Sequence, residues 1–254
     1  MTTMARFFFC HLQKTAGTSL LVRLKRHFGD DRVYPSRSDG HPVARVISVP
    51  HLLKQWQARG SEIQVVTGHF PLCVASLLGA EFVTFTILRE PVARTLSFLR
   101  HRRRLPAERG KTLEQIYGEH AVFDTLIQNH MVKMLSLTAD EMSEGARTRV
   151  GYGRERLARA IEQLACIDVV GITEEFDEFC ATLAGRYDLH LGEPVRINRT
   201  PSFDVSPSFR DRILADNALD AELYAAATRL VASRVQSTGG SSRARTITGG
   251  GPGG

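Results

Sequence analysis

Short apolar runs alternate with amphipathic segments along most of the chain. The first run covers residues 7–12, and residues 18–28 follow it with apolar positions at helical spacing. Short runs rich in β-branched and aromatic side chains predict buried strands, and strands that alternate with helices predict a parallel sheet. We therefore expect an α/β protein with a parallel β-sheet flanked by helices.

The same pattern predicts the other elements and the domain boundary. Residues 29–50 are rich in Gly, Pro, Asp and Ser, which predicts a surface loop with at most one short strand. Residues 237–254 are rich in Gly and Ser and cannot bury apolar area, so we expect a disordered tail after a single domain at 1–236. Further strands are predicted at 62–69, 81–88 and 167–172. Helices are predicted at 51–58 and 71–79, from residue 91, within 112–137, and at 154–165, 174–187 and 207–236. A loop is predicted at 191–203.

Composition excludes several classes of protein. The chain has 254 residues, 43% of them hydrophobic, which is enough for a core. It has no signal-peptide pattern and no apolar run long enough to span a membrane, which favours a cytoplasmic protein. Its four cysteines show no C-x-x-C spacing, so we expect reduced thiols and no zinc site. The net charge of +6 fits an anionic partner, but also a protein that uses arginine for solubility.

The turn between the first predicted strand and helix carries candidate chemistry. Its sequence is HLQKTAGTSL, in which Gly17 permits close backbone approach, Thr18 and Ser19 offer hydroxyls and Lys14 adds a positive charge. A helix N-terminus with free backbone N–H groups binds anions, so the turn fits a phosphate. Helix capping by Thr18 or Ser19 is the simpler explanation of the hydroxyls, but it does not explain Lys14.

The turn is not a Walker A motif, because that motif places the lysine directly after its second glycine. It resembles instead the 5′-phosphosulfate loop of sulfotransferases that use 3′-phosphoadenosine 5′-phosphosulfate (PAPS). The closest form is H-x-x-K-T-A-G-T-S, found in the carbohydrate 2-O-sulfotransferase and related families. The resemblance implies a sulfotransferase fold, with a P-loop-like sheet, and cofactor binding by Lys14, Thr15, Ala16, Gly17, Thr18 and Ser19.

A second motif follows the predicted strand at 81–88. Arg89 and Ser97 are eight residues apart, as in the 3′-phosphate motif of sulfotransferases, and Pro91 and Arg94 also match. An arginine can make a bidentate contact to phosphate, and a serine two helical turns later can face the same ligand. Arg89 could alternatively cap the strand end. The resemblance is weaker at 128–135 and 169–179, and it also suggests that Arg199 and Thr200 lie in a late cofactor-facing loop.

The resemblance implies sulfuryl transfer from PAPS to a hydroxyl, with adenosine 3′,5′-bisphosphate as the product and no metal. Lys14 is the candidate for neutralising the leaving oxygen. His69 is the candidate general base, because Gly68–His69 matches a G-H pair that carries the proposed base in 2-O-sulfotransferase-like families, although His69 could instead cap the strand end. His11 is expected to be structural.

The acceptor is less defined than the donor. It could be a carbohydrate, a glycolipid or a small metabolite, and the basic run at 99–105 could hold an anionic acceptor or could be a solvated surface. The chain has no membrane anchor before its first strand, which suggests a soluble, bacterial-type cytoplasmic enzyme and argues against a polysaccharide. Two other functions stay open: a metabolite kinase with an irregular P-loop, and a non-catalytic protein that binds anions or nucleic acid. Nucleic acid is disfavoured as a partner, since the sequence carries no recognisable nucleic-acid motif.

Overall fold

The computed structural model describes residues 5–193 and 205–242. Its centre is a five-stranded sheet in which every strand pairing is parallel and the strand order is β2-β3-β1-β4-β5. The predicted α/β class is confirmed. The strands are β1 (Phe7–Cys10), β2 (Val33–Tyr34), β3 (Val65–Gly68), β4 (Val83–Leu88) and β5 (Val169–Ile172).

The central strand β1 is buried on both faces of the sheet. Phe8 and Cys10 belong to one apolar cluster, and Phe7 and Phe9 belong to a second cluster on the other face. Successive side chains of a strand point to opposite faces, so a strand covered on both sides needs a continuous apolar run. This requirement explains why FFFC is apolar at every position.

Helices cover both faces of the sheet. Apolar side chains of α1 and α10 pack on one face, and those of α3, α8, α9 and α12 pack on the other. A third apolar cluster joins α5, α6 and α11. The α-helices are α1 (Gly17–Phe28), α2 (Ala44–Ile47), α3 (Val49–Arg59), α4 (Val74–Leu77), α5 (Pro91–Arg103), α6 (Leu113–Tyr117), α7 (His120–Val122), α8 (His130–Ser136), α9 (Arg154–Cys166), α10 (Phe176–Tyr187), α11 (Pro207–Asp216) and α12 (Ala218–Ser242).

Short irregular helices connect some of these elements. Three-residue 3₁₀ turns occur at Pro106–Glu108, Gly145–Arg147 and Thr173–Glu175, and a π-helix occurs at Phe123–Ile127. The helical region predicted at 112–137 is therefore broken into short pieces. One break lies at Asn129, which has a left-handed backbone with φ of 41° and cannot continue a right-handed helix.

Residues 29–50 are more ordered than a surface loop. The one short strand expected there is β2, but the region also contains α2 and the start of α3. The carboxylate of Asp39 is buried and pairs with Arg59 at 2.6 Å, and it also accepts a hydrogen bond from the backbone N–H of Ser36. The carboxylate of Asp39 thus ties the segment to α3 and to its own backbone, which composition alone does not reveal.

The last helix is longer than predicted. It continues to Ser242, six residues past the helix end predicted at residue 236. Most of the predicted loop at 191–203 and the tail from 243 lie outside the described residues. All four cysteines are free. No helix within 5–193 or 205–242 has both the length and the apolar character needed to cross a membrane.

The strand order defines where a ligand would sit. The strand after β1 along the chain lies at one edge of the sheet, whereas β4 and β5 lie on the other side of β1. In parallel sheets, ligands bind beyond the carboxyl ends of the strands where the strand order reverses direction. In this protein that position lies beyond the ends of β1, β3 and β4, which are followed by His11, His69 and Arg89.

Candidate functional site

The turn after β1 has a strained backbone. Lys14 and Ala16 both adopt positive φ values, of 71° and 64°. Such conformations are unfavourable for residues with a β-carbon and typically cost about 1–3 kcal/mol each, and they cluster at binding sites. The turn is therefore held in its shape by the surrounding structure, which is the behaviour expected of a preformed binding loop.

The N-terminus of α1 is open to an anion. Ala16 is its N-cap residue, no side chain caps it, and no acidic residue lies in its first turn. The capping role considered for Thr18 and Ser19 is therefore wrong, because both residues follow the start of the helix at Gly17. The Thr18 side chain is exposed, and that of Ser19 is buried. At α5, by contrast, the carboxylate of Glu90 accepts two backbone N–H groups of the first turn. The positive end of the α1 dipole has no such carboxylate to offset it.

The hydroxyl of Thr15 acts inside the turn. Thr15 is fully buried, and its Oγ1 donates a hydrogen bond to the carbonyl of Leu12 at 2.9 Å. This bond links the end of the strand segment to the turn. Thr15 can therefore offer a ligand its backbone N–H, while its side chain stabilises the turn.

His11 packs against the start of α1. Its ring stacks on Phe9 with centroids 5.0 Å apart, and a β-carbon built on Gly17 would lie 2.0 Å from its Cδ2 and Nε2 atoms. Gly17 is required here by close packing, because any larger residue would displace the imidazole. His11 is 9% exposed and burial lowers its pKa well below the usual value, so it is a neutral packing residue, as the sequence predicted.

His69 lies directly after β3 and contacts His11. The two ring centroids are 4.6 Å apart, and Nδ1 of His69 lies 3.0 Å from the carbonyl oxygen of His11. Since a carbonyl can only accept, Nδ1 carries the proton in the neutral ring and Nε2 keeps its lone pair. Gly68 adopts φ of 148°, and a β-carbon there would lie 2.4 Å from Phe70, so the strand end that orients His69 also depends on glycine.

The surroundings of His69 keep it neutral at pH 7. Burial lowers its pKa, the hydrogen bond to His11 opposes that effect, and the positive charges of Lys14 and His101 lower the pKa further. The backbone N–H of His69 donates to the carbonyl of Val46 at 2.7 Å, which anchors it to α2. A neutral imidazole with an available Nε2 is chemically able to take a proton from a hydroxyl.

Lys14 and Arg89 meet in this site. Nη1 of Arg89 donates to the carbonyl of Lys14 at 3.1 Å, so the end of β4 contacts the turn after β1. The pKa of Lys14 is lowered by partial burial and by the charges of Arg89 and Arg104. Neighbouring positive charges that lower the pKa of a lysine in this way are stabilised when an anion binds between them.

One face of α5 continues this cationic site. Ser97 is half-buried on α5, and His101 and Arg104 follow it at four and seven residues, which is helical spacing. The pKa of His101 is lowered by burial, Lys14 and Arg104. The basic run at 99–105 was predicted either to hold an anionic acceptor or to be a solvated surface. The helical spacing from Ser97 is the signal that could have singled out His101 and Arg104.

Arg94, which also matches the family motif, lies in the interior rather than in the site. It is fully buried, and its Nη2 donates to the carbonyls of Leu126 and Ile127 at 3.3 and 3.0 Å. Asn129, in the weaker region of resemblance, is also structural. Its Oδ1 accepts the backbone N–H groups of Leu219 and Asp220 at the start of α12.

The structure thus groups Lys14, Gly17, His69 and Arg89 at one end of the sheet. Arg199 and Thr200, the predicted residues of the late cofactor-facing loop, lie outside the described residues. Within the described ranges, no three His, Cys, Asp or Glu side chains are grouped closely enough to hold a metal ion. In comparisons with known proteins, no family model and no curated sequence matches the chain significantly.

Proposed function

We propose that the protein is a sulfotransferase that moves the sulfuryl group of PAPS to a hydroxyl acceptor. The observation that carries the proposal is the contact between Arg89 and the Lys14 carbonyl at 3.1 Å. It joins two sequence motifs, each similar to a phosphate motif of sulfotransferases, at one end of the sheet. A donor with both a 5′-phosphosulfate and a 3′-phosphate needs two such anion sites in one cleft.

The residues present fit this donor. The strained turn and the uncapped start of α1 suit the 5′-phosphosulfate, and Arg89 with Ser97 suits the 3′-phosphate. PAPS supplies the activated sulfuryl group. Lys14 places a positive charge where the leaving phosphate oxygen gains negative charge, a form of electrostatic stabilisation.

His69 completes the proposed chemistry. Its Nε2 takes the proton of the acceptor hydroxyl while the acceptor oxygen forms its bond to sulfur, and its Nδ1–H stays bonded to the His11 carbonyl. The hydrogen bond fixes the ring and its tautomer in advance, so no reorientation is needed during the reaction.

Two other functions fit the site less well. A metabolite kinase would use a Walker A lysine and a metal-binding aspartate, and the turn carries neither in the expected order. A non-catalytic anion-binding protein would have no need of a neutral imidazole beside its cations. The position of His69 therefore favours an enzyme.

The test separates the 3′-phosphate from the rest of the ligand. Calorimetric titration of adenosine 3′,5′-bisphosphate and adenosine 5′-phosphate into the protein and into Arg89→Ala measures what Arg89 contributes to each. We expect the variant to lose about tenfold or more in affinity for the bisphosphate and little for the monophosphate, because only the bisphosphate carries the group that Arg89 binds.

The matched control is Arg109→Ala, which removes an exposed arginine. It should leave both affinities unchanged. Equal weakening of both ligands by Arg89→Ala would show that Arg89 only braces the turn through the Lys14 carbonyl, and would contradict the assigned 3′-phosphate site.

A further inference from the structure

A pocket lies against α9. Its volume is about 400 Å³, within the range of small-molecule sites. Its walls come from the segment at 72–76, from the end of α8 with the residues that follow it, and from one face of α9. The described lining residues do not include Lys14, His69 or Arg89 of the proposed transfer site. We refer to this space as the α9 pocket.

The floor of the α9 pocket is apolar. Leu72, Leu135 and Ile167 line it, and all three are buried members of the apolar cluster on that face of the sheet. Cys73 and Cys166 add two thiols to the lining, and free cysteines behave as small apolar side chains. A ligand that fills this pocket therefore needs an apolar body.

One face of α9 gives the α9 pocket a direction. Arg159, Gln163 and Cys166 line the pocket at steps of four and three residues, which places them on the same side of the helix. The distance from Arg159 to Cys166 is about 10 Å along the helix axis. Cys166 is followed by Ile167, which is also in the lining. The pocket thus has a charged end and an apolar end.

The guanidinium of Arg159 has one edge available to a ligand. Arg159 is the one charged side chain among the described lining residues, and it is 41% exposed. Its Nη1 donates to the carbonyl of Ser136 at 3.4 Å and to Glu141 at 3.2 Å. Within residues 5–193 and 205–242, Nε and Nη2 of Arg159 have no hydrogen-bonding partner. The Nε–Nη2 edge of an arginine can hold a carboxylate through two parallel hydrogen bonds.

The carboxylate of Glu141 is shared between two arginines. It pairs with Arg156 at 2.7 Å and with Arg159 at 3.2 Å, so Arg156 is its closer partner. The three side chains together carry one excess positive charge. A ligand with one negative charge would offset that excess at the charged end of the pocket.

We propose that the α9 pocket binds a free medium-chain fatty acid. The carboxylate lies on the Nε–Nη2 edge of Arg159, and the alkyl chain follows the face of α9 towards Cys166 and Ile167. The positive charge selects the anionic head, and the apolar floor selects the hydrocarbon chain. An alcohol or an ester with the same chain lacks the charge and binds less tightly. This site does not depend on the proposed sulfuryl transfer.

The cysteines of the protein report occupancy of the pocket directly. Cys73 and Cys166 line it, whereas Cys10 and Cys180 are buried. Burial raises the pKa of the Cys73 thiol to about 11, which slows its reaction with N-ethylmaleimide, so Cys166 is the main reporter. Octanoate should slow the labelling of Cys166, as measured by peptide mass spectrometry, and acetate at the same concentration should not. Equal labelling in octanoate and acetate would overturn the proposal.

A charge variant tests the position of the carboxylate. Binding of octanoate and of octan-1-ol is measured by ligand-detected NMR, and we expect octanoate to bind more tightly. Arg159→Gln should weaken octanoate by about three- to tenfold, the effect of one partly exposed charged contact, and should leave octan-1-ol unchanged. Arg229→Gln removes an exposed arginine of α12 and should change neither affinity. Equal affinities for the two ligands in the parent protein, or an unchanged octanoate affinity in Arg159→Gln, would overturn the proposal.

A bulky side chain tests the position of the alkyl chain. Gln163 is exposed and lies between Arg159 and Cys166 on the lining face of α9. Gln163→Trp should fill the pocket and weaken octanoate and octan-1-ol by about tenfold or more. Glu162→Trp places the same side chain on an exposed neighbour outside the lining and should leave both affinities unchanged. Octanoate binding that survives in Gln163→Trp would place the ligand elsewhere and overturn the proposal.

Discussion

The imidazole of His11 occupies the space next to Gly17 in which any other residue would place its side chain. A β-carbon on Gly17 would lie 2.0 Å from two atoms of that ring, far inside van der Waals contact. The carbonyl of the same histidine accepts the hydrogen bond that orients His69. One residue thus couples the start of α1, where an anion would bind, to the proposed base.

Gly17→Ala should disrupt both functions of His11. The added methyl group must push the ring away, and overpacking of this kind costs about 1–3 kcal/mol of unfolding free energy. We expect that loss in urea denaturation, together with weaker bisphosphate binding. Adding His11→Ala removes the clash, so the double variant should lose less stability than the two single changes added together.

Gly185→Ala is the control for this comparison. Gly185 lies within α10, and a β-carbon there would meet nothing within 4 Å. Alanine should stabilise the helix by up to about 1 kcal/mol. A Gly17→Ala protein with unchanged stability and unchanged bisphosphate affinity would contradict the close packing of His11 on Gly17.

His69 should be a neutral base of defined tautomer. Its pKa is lowered from the usual value near 6.5, so the protonation that inactivates the base occurs below that pH. The reaction rate should therefore fall on the acidic side as Nε2 becomes protonated. We expect His69→Ala to lower turnover by about a hundredfold to ten-thousandfold and to remove this acid limb. Nitrogen-15 NMR of the parent protein at pH 7 should show a protonated Nδ1 and an unprotonated Nε2.

His120→Ala provides the comparison, because His120 is exposed at the start of α7. It should retain the acid limb and the rate. A folded His69→Ala protein that also keeps them would show that another group takes the proton, and a protonated Nε2 at pH 7 would contradict the assigned hydrogen bond.

Lys14 should affect turnover more than affinity. Its charge is proposed to act on an oxygen that becomes negative only as the sulfuryl group leaves, so Lys14→Ala should lower kcat more strongly than it weakens bisphosphate binding. Turnover and calorimetry on the same variant separate the two effects. If affinity falls by as much as kcat, Lys14 is a binding residue only.

Buried Lys133 should make stability depend on pH. Burial lowers its pKa from 10.5 to about 7 in the folded protein. Between these values the unfolded chain binds more protons than the folded one, so the free energy of unfolding should rise as pH increases from 7 towards 10. Lys133→Met should remove this rise, as measured by urea denaturation at several pH values.

Asp220 gives the opposite slope in a different window. Burial raises its pKa from 3.8 to about 6, so Asp220 lowers the free energy of unfolding as pH increases from 4 to 6, against the rise that His11 and His69 give in the same window because burial lowers their pKa. Lys133→Met should leave the slope between pH 4 and 6 unchanged. A parent protein whose stability is flat between pH 7 and 9 would contradict a buried, titrating Lys133.

The sequence predicted those features that depend on neighbouring residues. The strands and the turn at 11–19 follow local apolar patterns and spacing, and they were placed within a few residues. The contact between His11 and His69 joins residues 58 positions apart and requires the sheet pairing of β1 and β3. No local pattern encodes such a contact.

Other features that the sequence did not predict also depend on contacts between residues that are distant in sequence. Residues 29–50 look like a loop because they are polar, yet the ion pair between Asp39 and Arg59 orders them from outside the segment. A cleft of about 520 Å³ is lined by residues of α5, of the π-helix at Phe123–Ile127 and of the segment at 143–149, which are apart in sequence.

The most direct test of the central claim is a thermal unfolding experiment with competing ligands. Adenosine 3′,5′-bisphosphate at a hundredfold excess over its Kd should stabilise the protein by about 2.7 kcal/mol, seen as a rise of several degrees in Tm. ATP with magnesium and an oligonucleotide should give no comparable rise. An unchanged Tm at millimolar bisphosphate, together with a clear rise in ATP and magnesium, would contradict the sulfotransferase account.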